Sequence, residues 1–259
     1  MQKTQTKGLL FLLCLLPLQR IYAMQLYFID PISAPLPCLV ILGREESFHC
    51  IKVMRMKSGD LIYLTDGTGN LYTGTIAAEN VKACTVSLNS VETDHRKKNF
   101  KLHIAVAPTK NPARYEWFLE KATEIGIDEI TPLICHYSER SNIRLDRMQK
   151  VILSAAKQSN KTLLPRLNNV ISFEKFIAMK HPQHSFVCYA EESQPLHLKN
   201  AYKKGNDCTI LVGPEGDFSK EEIESAISRG FQIVSLGDSR LRTETAAIVA
   251  THIINLLND

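Results

Sequence analysis

The chain has 259 residues, 44% apolar and 22% charged, with a formal net charge of +4. That length supports one large domain or two smaller ones around a sizeable core, and the ordinary composition excludes a disordered chain except at its ends. The mild positive charge permits a nucleic-acid partner without requiring one.

Residues 1–23 stand apart. Lys3 and Lys7 precede the apolar run Gly8–Leu18, and Ala23 comes just before a second methionine, Met24. This is the shape of a secretory signal, too short for a comfortable membrane span. An upstream start, with the functional chain beginning at Met24, reads equally well and agrees better with everything downstream. From Met24 to about Val91 short strands alternate with turns: Gln25–Ile29, Asp60–Thr65, Leu71–Ile76 and Ala83–Leu88. Asp66–Asn70 between two of them is a strong turn signal. A small β-barrel over residues 24–92 is expected. Glu92–Asn99 is polar and charged and is the expected linker.

From Phe100 onward strands and helices alternate. The predicted strands are Lys101–Ala107, Glu129–Cys135, Ser185–Ala190, Cys208–Val212 and Gln232–Leu236. Asn111 caps a helix that Pro112 opens and Gly126 ends, and Tyr115, Phe118, Leu119, Ala122 and Ile125 share its apolar face. Trp117 and Phe118 read as packing, and His103 and His252 as core or surface residues. A longer helix is expected over Arg144–Lys161. Ser219–Glu222 is a capping box, flanked by Phe218 and Ile223 as a hydrophobic staple. The last helix, about Thr243–Leu257, is apolar on most faces and must pack inside the domain or against a second subunit. The alternation predicts an α/β domain, residues 100–259, built on a mostly parallel sheet covered on both faces.

Seven cysteines, Cys14, Cys38, Cys50, Cys84, Cys135, Cys188 and Cys208, form no CxxC pair and no ligand spacing, so no metal site is expected. They read as small buried hydrophobes in a reducing compartment.

Ligands of open α/β sheets bind beyond the carboxyl ends of strands, and two predicted strand ends are unusual. Val212–Ser219 sets Gly213 and Gly216 around Pro214 and Glu215 just before the capped helix. The glycines allow a sharp turn and close approach of a ligand. A plain tight turn has the same pattern, and neither a phosphate loop nor a dinucleotide motif follows. Leu236–Ala246 carries Arg242 and Glu244 into the apolar final helix, where charges without partners are costly. On the long helix Arg147, Lys150, Lys157 and Lys161 recur at three- and four-residue steps. They form either a solvated face or a stripe that neutralises phosphates.

Leu211–Gly216, followed by Leu236–Ala246, resembles the signature of the bacterial 16S ribosomal RNA uridine-N3 methyltransferases (RsmE-like). Ala107–Lys110, Glu120–Gly126, Ile130–Ile134 and Ser138–Ser141 resemble that family's first strands, helix and following loop. His49–Arg55 with Gly59 and Asp60 resembles its N-terminal module. The resemblance runs from about Met24 to the C-terminus. It implies a SPOUT-type methyltransferase domain with a trefoil knot near the C-terminus, a PUA-like RNA-binding barrel, a homodimer, and cytoplasmic work on 16S rRNA of the small ribosomal subunit, with no metal and no membrane. It implies S-adenosylmethionine held by Val212, Gly213, Pro214, Glu215, Gly216, Leu236, Gly237, Leu241, Arg242 and Thr243, with Arg242 and Glu244 as catalytic residues. Arg55, Lys110, Lys121 and Arg140, with Lys157 and Lys161 of the basic stripe, are the expected RNA contacts.

Two positions depart from the family: Asp217 stands where glycine is common, and Lys161 where the long helix often has arginine, which loses bidentate geometry. In the expected chemistry N3 must lose its proton and align with the methyl group. Arg242 stabilises the uracil anion, and Glu244, Glu215 or Asp217 orients it or accepts the proton. A related enzyme acting on another rRNA or tRNA base, and an RNA-binding assembly factor without catalysis, are the alternatives.

Overall fold

The computed structural model describes residues 25–95, 97–189 and 195–259. The signal-like extension 1–23, with Cys14, lies outside the described residues, as does Arg96.

The N-terminal unit comprises β1 (Leu26–Phe28), β2 (Cys38–Ile41), α1 (Arg44–Phe48) running into a π-turn at His49–Val53, β3 (Leu61–Thr65), β4 (Leu71–Ala78) and β5 (Thr85–Glu92). Its five strands lie in the order β1-β3-β4-β5-β2, with β1 parallel to β3 and the other pairs antiparallel. Tyr27, Leu42, Ile62, Leu64, Ile76, Val86 and Leu88 form its core. β2 and the helical segment after it were not anticipated. β2 is a four-residue edge strand of uninterrupted apolar residues behind Pro35 and Pro37, so it has neither alternation nor a clean start.

The turn between β3 and β4 is built on Asp66. Its carboxylate accepts from Thr68 N and Oγ1, Asn70 Nδ2 and Tyr72 OH, at 2.6–2.9 Å. The same turn docks onto the second unit. Thr65 Oγ1 donates to Thr162 O at 3.0 Å, Gly69 N to the same oxygen at 2.9 Å, and Leu164 N to Gly67 O at 2.9 Å. Gly67 has φ +76°, and a Cβ there would lie 2.8 Å from Leu164 Cδ1, so glycine is required twice over.

The second unit comprises β6 (Leu102–Val106), α2 (Pro112–Ile125), β7 (Glu129–Ile134), α3 (Leu145–Gln158), β8 (Arg166–Leu167), β9 (Ile171–Ser172), α4 (Phe173–Ile177), β10 (His184–Cys188), β11 (Leu196–His197), α5 (Leu198–Ala201), β12 (Cys208–Val212), α6 (Lys220–Ser228), β13 (Gln232–Ser235) and α7 (Thr243–Asn258). The strand order is β11-β13-β10-β12-β6-β7-β8, with β9 also on β7, and every pairing is parallel. One core packs α2, α3 and α7 on one face; a second packs α4 and α6 on the other. Burial on both faces is why β12 is a continuous apolar run. After β13 the chain crosses back and lays α7 against α2 and β6, with Asn255 Nδ2 donating to Gly126 O at 2.9 Å. That return path accords with the knot the resemblance implies.

The expected caps are present. Asn111 Oδ1 accepts from Ala113 N, Gly126 adopts φ +123° at the end of α2, and Ser219 with Glu222 forms the capping box of α6. Three expectations need correction. α3 stops at Gln158 because Asn160 turns to φ +52°, so Lys161 lies beyond the helix. Glu92–Asn99 is not a free linker: Glu92 ends β5, Thr162 Oγ1 donates to His95 O at 3.1 Å, and Lys98 Nζ donates to Gly126 O at 2.7 Å. Finally, Phe118 is core but Trp117 is 45% exposed.

His103 is half-buried on β6. Thr131 Oγ1 accepts from Asn168 Nδ2 and lies 2.7 Å from His103 Nε2, with which it shares a hydrogen bond. Burial pushes the imidazole down to about 4, against the pull of Glu129. Burial also lowers His181. Unfolding restores both to their ordinary value near 6.5, so the unfolded chain binds more protons between those limits. Stability is therefore expected to be full above about pH 6.5 and to fall as the pH drops towards about 4. Urea midpoints across that range test this. His103→Gln should flatten the slope, and an unchanged slope would exclude His103 as its source.

Candidate active site

The carboxyl ends of β10, β12 and β13 open into one cleft of about 790 Å³. Its walls are the bend Val212–Asp217 and the segment Val234–Thr243, with Ala246 behind. Val212, Gly213, Pro214, Glu215, Gly216, Leu236, Gly237, Leu241, Arg242 and Thr243 all line it, so two bends distant in the chain face one space. Sequence reasoning missed the floor. Cys188, Tyr189 and Pro195 come from β10 and the segment after it, and no glycine pattern marks that strand end. Only the strand order signals it, because β10 lies between β12 and β13.

A buried hydrogen bond joins the two bends: Thr243 Oγ1 donates to Gly213 O at 3.0 Å. Val212 O accepts from Ala107 N at 3.0 Å, fixing the neighbouring peptide to the end of β6. The glycines serve different purposes. A Cβ on Gly213 would lie 3.1 Å from the Phe218 ring, so its hydrogen makes room for the staple residue. Gly216 makes room for Tyr137, whose Cβ would be 3.0 Å away. Gly237 has φ +126° and open space beside it. Asp217 takes φ +64° after a turn in which its N–H reaches Pro214 O, and its Oδ1 accepts from Phe218 N at 2.9 Å. Aspartate is among the few residues that adopt this conformation readily.

Carboxylates brace the bend from outside. Glu215 Oε1 accepts from Lys110 N at 3.0 Å. Glu222 Oε2 accepts from Ser219 N within the capping box, and its Oε1 accepts from His136 N at 2.8 Å. Arg242 is the N-cap residue of α7, with an exposed side chain on the cleft wall. Glu244 is buried and is not part of the lining. Its Oε1 lies 3.7 Å from Arg114 Nε on α2, and its Oε2 has no partner among the described residues.

The basic residues do not form one stripe. Lys157 ion-pairs with Glu46 of α1 and sits 5.8 Å over the Phe28 ring, a brace between the two units. Arg147 pairs with Glu116 at 2.6 Å, and Lys121 with Glu120 and Glu124 of its own helix. Lys161 is half-buried beyond α3. Near the cleft mouth Lys110 Nζ lies 2.7 Å from Glu139, and Arg140 Nε donates to Asn142 O at 3.2 Å. Arg55 follows the π-turn, exposed, at φ +56°. No metal-binding cluster occurs among the described residues.

Residues 96–255 match the model of an RNA methyltransferase domain and residues 42–89 that of an RNA methyltransferase PUA domain. A probable rRNA-methyltransferase from Porphyromonas gingivalis superposes with a TM-score of 0.83, at 37% identity, over 90% of this chain and 98% of that one. A putative methyltransferase from Legionella pneumophila, solved with the bound cofactor SAM, gives a TM-score of 0.78 at 27% identity, over 91% and 98% of the two chains. The Ribosomal RNA small subunit methyltransferase E of Bacillus subtilis is 29% identical over 90% of this chain and 96% of its own length.

Thr243→Val keeps the volume of the joint between the bends but strands the buried Gly213 carbonyl. It is expected to cost about 1–3 kcal/mol of stability. Thr243→Ser keeps the hydroxyl and should recover most of the loss. Equal unfolding midpoints for wild type and Thr243→Val would show that the bond contributes nothing.

Proposed function

This chain belongs to the RNA methyltransferase family whose domains it matches, and from that premise we propose that it transfers the methyl group of S-adenosylmethionine to N3 of a uridine in 16S rRNA of the small ribosomal subunit. The observation that carries this reading is the convergence of two distant bends on one cleft, joined by the bond between Thr243 and Gly213. The cleft suits the donor. Its volume lies in the usual range for small-molecule sites. Backbone groups of Gly213–Gly216 and Leu236–Leu241 are available to an adenosine edge, Leu236 and Leu241 to its ring, and Gly237 leaves room for close approach. When bound, S-adenosylmethionine supplies an electrophilic methyl group on a sulfonium.

The protein's own task is to hold the nucleobase and manage one proton. Uridine N3 is protonated at neutral pH and becomes nucleophilic as that proton leaves. Arg242, exposed on the wall, stabilises the negative charge that develops on the uracil. Glu215 and Asp217, the carboxylates of the first bend, are the groups available to take the proton. Glu244 acts as a positioning residue: from the first turn of α7 it faces Arg114 and fixes the helix end that carries Arg242. The exposed cations Lys110 and Arg55, with the half-buried Arg140, are available to RNA phosphates. Lys157 supports RNA binding indirectly, by holding the two units together.

The chain acts as a homodimer in this reading, through the outer face of α7, where Leu256 is 59% exposed. No helix among the described residues is long and apolar enough to cross a membrane. A ribosomal substrate makes the cytoplasm the site of action.

The test is transfer of labelled methyl to purified small subunits, with the product nucleoside identified by mass. Arg242→Ala is expected to lower turnover by about 10²–10³-fold. Normal turnover in that variant would remove Arg242 from the chemistry, and a product other than N3-methyluridine would refute the proposed specificity. Light scattering should give a dimer mass for wild type and a shift towards monomer for Leu256→Asp; a wild-type monomer would exclude the dimer.

A further inference from the structure

The rim of the cleft carries an aromatic pair to which the chemistry above assigns no task. Tyr137 is 51% exposed. His136 beside it is exposed as well, the two rings edge to face with centroids 4.6 Å apart and an 85° interplanar angle. Leaving aromatic area in water is unfavourable, and the loop does not need the ring for its own shape, because backbone bonds hold it. Ser138 N donates to Cys135 O at 3.0 Å and Cys135 N to Ser138 Oγ at 2.9 Å.

The loop is also tied to the cleft. Glu222 accepts from His136 N with one oxygen and caps α6 with the other, so a single carboxylate sets both the aromatic loop and the start of the helix that follows the glycine bend. The Tyr137 stem occupies the volume that a side chain at Gly216 would take. The ring is thus held at a fixed place on the outer side of the cleft wall. Two cations belong to the same group of loops. Lys110 binds Glu215 through its backbone and pairs with Glu139 through an exposed ammonium, and Arg140 follows in the same loop. An exposed ion pair of this kind is weak, and a phosphate can displace the carboxylate.

Rigid exposed aromatics flanked by cations bind unstacked bases of single-stranded RNA. We propose that Tyr137, backed by His136, is a stacking platform for the base of a nucleotide adjacent to the methylated uridine, and thereby a positioning residue for the RNA strand at the cleft. This rests on the RNA methyltransferase reading and adds a subsite outside the cofactor cleft.

The full chain, Tyr137→Ala and Tyr137→Phe are compared in methyl transfer to small subunits, together with donor binding by calorimetry. Tyr137→Ala is expected to raise KM for RNA about ten-fold or more with a smaller change in kcat and unchanged donor affinity. Tyr137→Phe keeps the ring and should restore KM. A short single-stranded RNA with 2-aminopurine beside the target uridine gives a second readout: wild type and Tyr137→Phe should quench its fluorescence, and Tyr137→Ala should not. Wild-type KM and quenching in Tyr137→Ala would overturn the platform, as would a loss of donor affinity equal to the loss of RNA affinity, which would make Tyr137 merely part of the wall. Should wild type fail to methylate small subunits, the functional reading falls, while quenching that depends on the ring still upholds the platform.

Discussion

A parallel sheet leaves the carboxyl ends of its strands as open edges, and something must hold the loops there in one arrangement. Here α7 does it. The helix packs on β6 and α2 and brings its first turn to the end of β12, where the Thr243 hydroxyl meets the Gly213 carbonyl. The second bend therefore cannot shift without disturbing a helix that buries Ala247, Ala250, Thr251 and Ile254. Cleft shape and domain stability are coupled through that helix, and the donor would meet a surface organised before it arrives.

The carboxylates around the cleft serve largely as supports for its loops. Glu222 and Glu215 each hold a backbone N–H of a neighbouring loop, His136 in one case and Lys110 in the other. Glu244 is withdrawn towards Arg114. Asp217 stands at the lining in a backbone conformation that glycine adopts more readily. The acidic side chains thus set the positions of the loops, and the positive charges on the cleft wall are those of Arg240 and Arg242.

Much of this was legible in the sequence wherever one physical rule dominated. Cys208–Val212 read as a buried strand because both its faces are covered, and the caps at Asn111, Gly126 and Ser219 read true because their chemistry is local. The two bends were legible from their glycines and charges. The floor of the cleft at Cys188 and Tyr189 was not, because its position comes from strand order, which periodicity does not encode. The basic stripe misled for a related reason. Spacing reports the face of a helix but not what lies opposite, and opposite Lys157 lies Glu46 of the other unit. Lys161 left the helix through the left-handed residue Asn160, a helix-ending signal that the basic spacing outweighed in the reading of the sequence.

The β3–β4 turn, keyed into residues 162–164 through Thr65, Gly67 and Gly69, makes the spacing between the N-terminal unit and the cleft a property of the folded chain. The protein is in that sense a caliper with its jaws set. A strand of RNA that touches both units must present two contact points at that separation, and one that cannot do so forfeits one contact entirely. Any RNA that reached both units would then be gauged by geometry at a distance as well as by the base in the cleft, and a change at Gly67, where the turn meets Leu164, would reset that gauge.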